Sequence, residues 1–240
     1  MLGSITGSFK AGLRSFEGVD TSLLLLFDPA TYTSGNTYTE ESSYEKTLTL
    51  YNSPTHNTDY FSFNGTDQYI QIPNSPGPFS DFSNGISILA FADFGDTGAA
   101  ERIIDIGGGQ SSNNIIMLRA GSGTALGFHV HNTGGDGSHY FTFGSAIANN
   151  QWGFYAITAN GSQIKLYNQT SSKTITSSVL PHFKLNRNSN FLGKSNWPAD
   201  AYFDSKMGPV AVYNRALSDG EIENFYNRYR NRYGMSTWGT

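Results

Sequence analysis

Roughly a dozen short runs of apolar or alternating residues, about 8–15 residues apart and parted by turn-forming pairs, constrain this chain more than any other feature. Runs that short bury a useful face only as β-strands, since a helix needs about ten residues or more to do so. Strands are expected over Thr21–Phe27, Thr47–Tyr51, Tyr60–Phe63 and Gln68–Ile72, then Gly85–Phe94, Arg102–Ile106, Asn114–Arg119 and Ala125–His131. Tyr140–Phe143, Trp152–Ala159 and Gln163–Asn168 follow, with Ser171–Val179 as an edge strand. Asn64-Gly65 and Asn160-Gly161 are hairpin pairs, because a two-residue turn needs the left-handed backbone that Asn and Gly tolerate. Thr31–Ser43 reads as a polar loop and Asn132–Ser138 as a glycine-rich hairpin tip.

The stretch from Asn190 to Gly234 breaks this rhythm: it reads as strand, polar loop, strand and helix. Phe191 and Leu192 form an apolar run closed by Gly193, and Val210, Val212 and Tyr213 form a strand entered through Gly208-Pro209. Ser218 followed by Glu221 is a capping box, in which hydroxyl and carboxylate each take a free N–H of the first helical turn. Ile222, Phe225, Tyr226 and Tyr229 then recur at i, i+3, i+4 and i+7, one apolar stripe of a short helix. Arg228, Arg230 and Arg232 suit its negative end, and Gly234 is its stop. The resulting fold class is all-β, an antiparallel sandwich or jelly roll with one short C-terminal helix. The domain spans 21–234, with an N-terminal arm at 1–20 and a tail at 235–240. In the arm, Ile5, Phe9, Leu13 and Phe16 recur at near-helical spacing among glycines, which suits either a docking segment or a loose terminus.

Charge and composition remove several function classes. Hydrophobic residues are 38% and charged residues 14%, the balance of a folded chain and not of a disordered acidic one. A formal net charge of −4 argues against phosphate neutralisation, hence against a nucleic-acid partner. With no cysteine there is no disulfide, thiolate metal site or thiol nucleophile. No run approaches the roughly 18–20 apolar residues of a membrane-spanning helix. Leu23–Phe27 is too short for a signal-peptide core, so export by that route is not expected.

The run Phe203-Asp-x-Lys-x-Gly-x-Val-x-Val-Tyr-Asn-Arg-Ala-Leu-Ser-x-x-Glu-Ile222 closely resembles the closing strand and helix of laminin G-like and pentraxin-like jelly rolls, members of the concanavalin A-like lectin/glucanase superfamily. Phe61-Ser-Phe-Asn-Gly-Thr-Asp-Gln-Tyr-Ile-Gln-Ile-Pro73 resembles the early strand pair of the same domains. Leu23–Phe27, Asp28 and the Ser/Thr/Tyr-rich segment to Tyr51 look like the opening of such domains in bacteriophage and other virus particle proteins. The resemblance implies a concanavalin A-like jelly roll with a lectin-like role.

Glucanases of this superfamily present their acids from one strand as E-x-D-x-x-E, and no such run occurs here, so no enzyme is expected. Related domains hold calcium between two loops. The corresponding loops here offer Asp96 and Glu101, then Asn196 and Asp200, oxygen donors that suit a calcium ion. For a sugar, Trp197 within Ser195-Asn196-Trp197-Pro198-Ala199-Asp200 is the leading residue: a planar ring packs on the C–H face while Asn196 and Asp200 take hydroxyls. Tyr202 shares that reading. The alternative is that Trp197 packs beneath its own loop or against a neighbouring subunit. Trp152 reads as core, and Trp238 as an anchor for the tail. His129, His131 and His139 are a weak transition-metal set, otherwise exposed strand histidines.

These expectations add up to a non-enzymatic adhesion module on a virus particle, of bacteriophage tail or head, that engages host surface glycan through the loops 93–101 and 194–204. Other virion proteins and further copies of the chain are its implied partners. A purely architectural particle component without a ligand, and a bacterial carbohydrate-binding protein or degenerate glycosidase, are the alternatives.

Overall fold

A computed structural model of the chain describes residues 20–76, 79–95, 100–121, 123–133, 137–181 and 185–239. The expected arm lies outside these residues, apart from Asp20. In chain order the strands are β1 (Leu23–Phe27), β2 (Thr37–Thr39), β3 (Thr47–Tyr51), β4 (Thr55–Asn57), β5 (Tyr60–Asn64), β6 (Tyr69–Ile72), β7 (Ile86–Phe94) and β8 (Arg102–Gly107). They continue as β9 (Ile115–Ala120), β10 (Ala125–Asn132), β11 (Gly137–Phe143), β12 (Trp152–Ala159), β13 (Gln163–Asn168), β14 (Ser171–Thr176), β15 (Ser189–Leu192) and β16 (Asp204–Tyr213). The single α-helix among the described residues, α1, is Asp219–Tyr229.

The strands form two sheets, ordered β14-β13-β12-β7-β16-β5-β4 with β1 also on β16, and β11-β10-β9-β8-β15-β6-β3-β2. The pairings are antiparallel, as a jelly roll requires. Ile86, Ile88 and Ala90 point between the sheets with Phe61, Ile104, Phe128 and Val212. Their neighbours Leu89 and Phe91 point the other way, into a second apolar layer with Phe154, Ala211 and the helix. The first sheet is therefore buried on both faces, which is why all nine residues of β7 are buried and why β7 carries no polar alternation.

The capping box forms as the spacing predicts: Ser218 Oγ accepts from the Glu221 N–H, and the Glu221 carboxylate accepts from the Ser218 N–H at 2.8 Å. Ile222, Phe225, Tyr226 and Tyr229 are the buried stripe, and Phe91 lies parallel to Tyr226 at 5.9 Å. The chain then turns out through Gly234, left-handed at φ 64°. The tail is docked. Trp238 packs on Phe154 at 5.7 Å and on Tyr226 at 5.1 Å.

Two expectations need correction. The polar loop Thr31–Ser43 contains β2, whose three residues carry too little pattern to be seen. The last strand begins at Asp204, well before Gly208-Pro209, and the ladder to β7 skips between Met207 and Val210. A bulge there admits the proline that a regular central strand would reject.

Candidate functional site

Among the described residues no helix covers the outer face of the second sheet. The segment 194–202 lies across it instead. Gly193, at φ 78°, turns the chain out of β15, and the Phe203 N–H donates to the Gly193 carbonyl at 2.9 Å, closing the loop at its base. Asp105 pins the middle. It sits between Ile104 and Ile106, which face the core, so its own side chain faces outward. Its carboxylate accepts from the Asn196 N–H (2.9 Å), the Asn196 amide (2.8 Å) and the Asn114 amide (2.9 Å), and it is 0% exposed. Burial is the main influence and raises its pKa; the hydrogen bonds oppose that.

Pinning the loop fixes Trp197. Its N–H donates to Ser195 Oγ at 3.0 Å, Ser195 Oγ donates to Asp200 at 2.8 Å, and Arg102 Nη2 pairs with the same Asp200 oxygen at 2.6 Å. The Arg102 guanidinium also stands 5.9 Å from the Trp197 ring centre, a cation–π arrangement. The ring stacks on His129 (6.1 Å, 27°) and meets His131 edge-on (6.3 Å, 61°). Together with Ser111 and Ser138, these groups line an open cavity of about 350 Å³.

The β9–β10–β11 register supplies the cavity's second wall. Leu126, Phe128 and Val130 take the core, so His129 and His131 take the outer face. Ser138 and Tyr140 stand opposite them on β11, with Tyr140 50% exposed at the rim. His129 Nε2 and Ser138 Oγ share a hydrogen bond at 2.5 Å. Burial, then Arg102, His131 and His139, depress the His129 pKa to about 4, so the ring is neutral near pH 7. His131 Nδ1 is buried without a hydrogen-bond partner among the described residues.

The structure redistributes the residues that the sequence singled out. Trp197 and Asp200 line the cavity. Asn196 does not, because its amide and N–H are committed to Asp105. Tyr202 lies on another patch, 6.2 Å from Tyr69, where Tyr51 and Tyr69 stack in parallel at 4.6 Å under Lys194. The pleat divides the three histidines, for His139 stands opposite Val130 and turns inward. His129, His131 and Arg102 were not anticipated at the sugar site, since only strand register and loop folding bring them to Trp197.

The calcium set fits poorly. Glu101 is fully buried against Arg119, 3.2 Å between charged atoms, and accepts from the Asp204 N–H at 3.1 Å. Asp200 is neutralised by Arg102 and Asn196 is tied to Asp105, while Asp96 lies outside the described residues. A guanidinium already occupies the place of a cation at both described carboxylates. Among the described residues no cluster of three or more acidic, histidine or cysteine side chains is arranged for a metal.

The fold has many solved relatives at low identity. The receptor-binding domain of a botulinum neurotoxin C/D mosaic serotype superposes with a TM-score of 0.67 at 16% identity, over 88% of this chain and 52% of that one. The ligand-binding domain of botulinum neurotoxin serotype D, solved in complex with N-acetylneuraminic acid, gives 0.67 at 14% over 88% and 52%. The carbohydrate-binding module CBM40 of the Ruminococcus gnavus IT-sialidase, bound to α2,3-sialyllactose, gives 0.57 at 16% over 68% and 94%. This chain thus spans about half the length of the toxin domains. A search of the curated proteins by sequence finds no match. A family profile does match, over residues 64–223, from within β5 to the middle of α1, and by it the chain belongs to the concanavalin A-like lectin/glucanases superfamily.

Proposed function

We propose that the chain is a non-enzymatic glycan-binding adhesion domain, displayed on a virus particle, with the cavity under Trp197 as its sugar pocket. The observation that carries this is the convergence of Trp197, two histidines, Arg102 and Asp200 on one cavity from loop and sheet. An aromatic ring beside a few fixed polar groups is the usual make-up of a ligand site, and about 350 Å³ suits one or two sugar rings. The ring offers a face to sugar C–H groups, and the His131 nitrogen offers a partner to a hydroxyl. The sialylated ligands of two structural relatives make sialyllactose the first probe.

A binding role suits the acids better than hydrolysis does. Asp105 is saturated by three donors and Asp200 is held by Arg102 and Ser195, so neither is placed as a proton donor with a second carboxylate facing it. The particle setting rests on the likeness of the segment Leu23–Tyr51 to the openings of virus particle proteins, and it implies virion proteins and further copies of the chain as partners. Antibody raised against the chain then labels intact particles; labelling confined to host cells overturns that setting.

A glycan array probed with the purified chain and with Trp197→Ala tests the pocket. Binding of sialyllactose or another arrayed glycan by the parent, lost in the variant, is the expected result. No binding by the parent, or equal binding by the variant, overturns it. One observation favours the architectural alternative: the stacked Tyr51 and Tyr69, with Tyr51 37% exposed, form a strip beside Lys194 that another particle protein could cover.

A further inference from the structure

A second cavity, of about 440 Å³, opens on the opposite sheet where the cover given by the helix ends. Its floor is a cross-strand row. Asp93 near the end of β7 pairs in register with Trp152 of β12 on one side and Lys206 of β16 on the other. All three continue the outward face that Phe91, Phe154 and Ala211 present to the helix. Tyr233 packs against Trp152 with 4.1 Å between ring centres and donates its hydroxyl to the Asp59 carbonyl at 2.7 Å. Gln169 and Ser236 complete the rim. Trp152 packs against the edge of the outer apolar layer, as its position at a strand start suggested, but it is only partly buried and also forms a wall of this cavity.

The row leaves one group unmet. Asp93 is 3% exposed, and its Oδ2 accepts from Lys206 Nζ at 2.8 Å. Its Oδ1 is buried and has no partner among the described residues. A buried acceptor left unmet is destabilising, and a donor brought by a ligand would relieve that cost. Lys206, with its side chain 41% exposed, keeps N–H groups for an acceptor. Acceptor and donor side by side, next to an indole wall, match the vicinal hydroxyls and C–H face of a pyranose ring.

From this geometry we infer that the cavity at Trp152, Asp93 and Lys206 is a second binding site, for a neutral sugar. Charge selects the class. The Asp93–Lys206 pair cancels itself, so an acidic sugar meets the unmet carboxylate oxygen and an amino sugar competes with Lys206. The site is independent of the Trp197 pocket, which lies on the other sheet, and the two together make the chain divalent for glycan.

The test uses the indole N–H signals of the ¹⁵N-labelled full chain, with Trp152, Trp197 and Trp238 assigned through single Trp→Phe variants. Methyl β-galactopyranoside, methyl α-mannopyranoside and methyl α-glucopyranoside are titrated in the millimolar range, beside galacturonate and galactosamine. At least one neutral pyranoside is expected to shift the Trp152 signal saturably, with the charged sugars at least about tenfold weaker. Asp93→Asn, which keeps the shape, and Gln169→Ala, which gives up only the 3.3 Å hydrogen bond from the Phe154 N–H, should each weaken that binding by about tenfold or more while leaving Trp238 in place. A Trp152 signal that no neutral sugar moves, or that moves equally in both variants, overturns the site. The Trp197 signal reports the first pocket separately, so each site can fail alone.

Discussion

His129 shows how far neighbours decide a residue's chemistry. Its folded pKa, about 4, lies below the ordinary value of 6.5 because the ring is buried beside Arg102. Between pH 6.5 and 4 the unfolded chain therefore binds a proton that the folded chain refuses. The stability given by the neutral ring is complete above pH 6.5 and drains away as pH falls toward 4. Glu101 has the opposite sign: burial raises its pKa from 4.5 to about 7, with Arg119 opposing, so the folded form holds the extra proton and stability falls as pH rises from 4.5 to 7. The two effects offset each other in the parent, so variants must separate them. Urea unfolding at pH 7 and at pH 4.5 should show His129→Gln losing about 1–2 kcal/mol less than the parent on acidification. An equal loss in both would show that His129 titrates normally. The arginines at Glu101 and Asp200 predict a second result: added calcium and then chelator leave both the melting temperature and glycan binding unchanged. A calcium-dependent rise in melting temperature would mean that a cation displaces those guanidinium groups.

At the scale of elements, the helix was legible in the sequence and the loop was not. Both signals of α1 are local. The cap spans four residues and the stripe eight, so nothing distant is needed to read them. Ser218→Ala should cost about 1 kcal/mol in thermal or urea unfolding, the usual worth of an N-cap. The inter-sheet strands were legible for the same reason, whereas β2 and β4 were too short to show a pattern. The loop 194–202 reads as exposed because it is polar. Its polar groups instead turn inward to Asp105, which is 91 residues away in the chain. No local pattern marks that pairing, and without it neither the place of Trp197 nor its meeting with His129 can be anticipated. Asp105→Ala strands the amides of Asn196 and Asn114, so a loss of about 2–4 kcal/mol is expected. Trp197 fluorescence should shift to the red as its loop lifts, and binding at the pocket should disappear. A variant with unchanged emission would show that the loop holds itself without Asp105.

The molecule as a whole is three layers, two sheets and a helix, with the first sheet common to both apolar interfaces. That sharing has a consequence for the tail. Met235 and Trp238 pack into the outer layer, the Tyr226 hydroxyl donates to the Ser236 carbonyl at 2.7 Å, and the Gly239 N–H donates to the Gln169 carbonyl at 3.1 Å. Residues 235–239 therefore belong to the fold and are more than an appendage to a domain ending at 234. Truncation after Gly234 strips a tryptophan from a packed layer, and a loss of about 2–4 kcal/mol is expected from burial of that kind. Because β7, β12 and β16 serve both layers, the truncated chain should still unfold in one transition, with near-ultraviolet circular dichroism and far-ultraviolet signals coinciding. Two separated transitions would mean that the helix layer comes away as a unit and that the first sheet stands without it. The same truncation removes Met235 and Ser236 from the lining of the second cavity but no residue of the first. Binding read at Trp152 should weaken while binding read at Trp197 persists, which ties the order of the tail to one face of the molecule and leaves the other free of it.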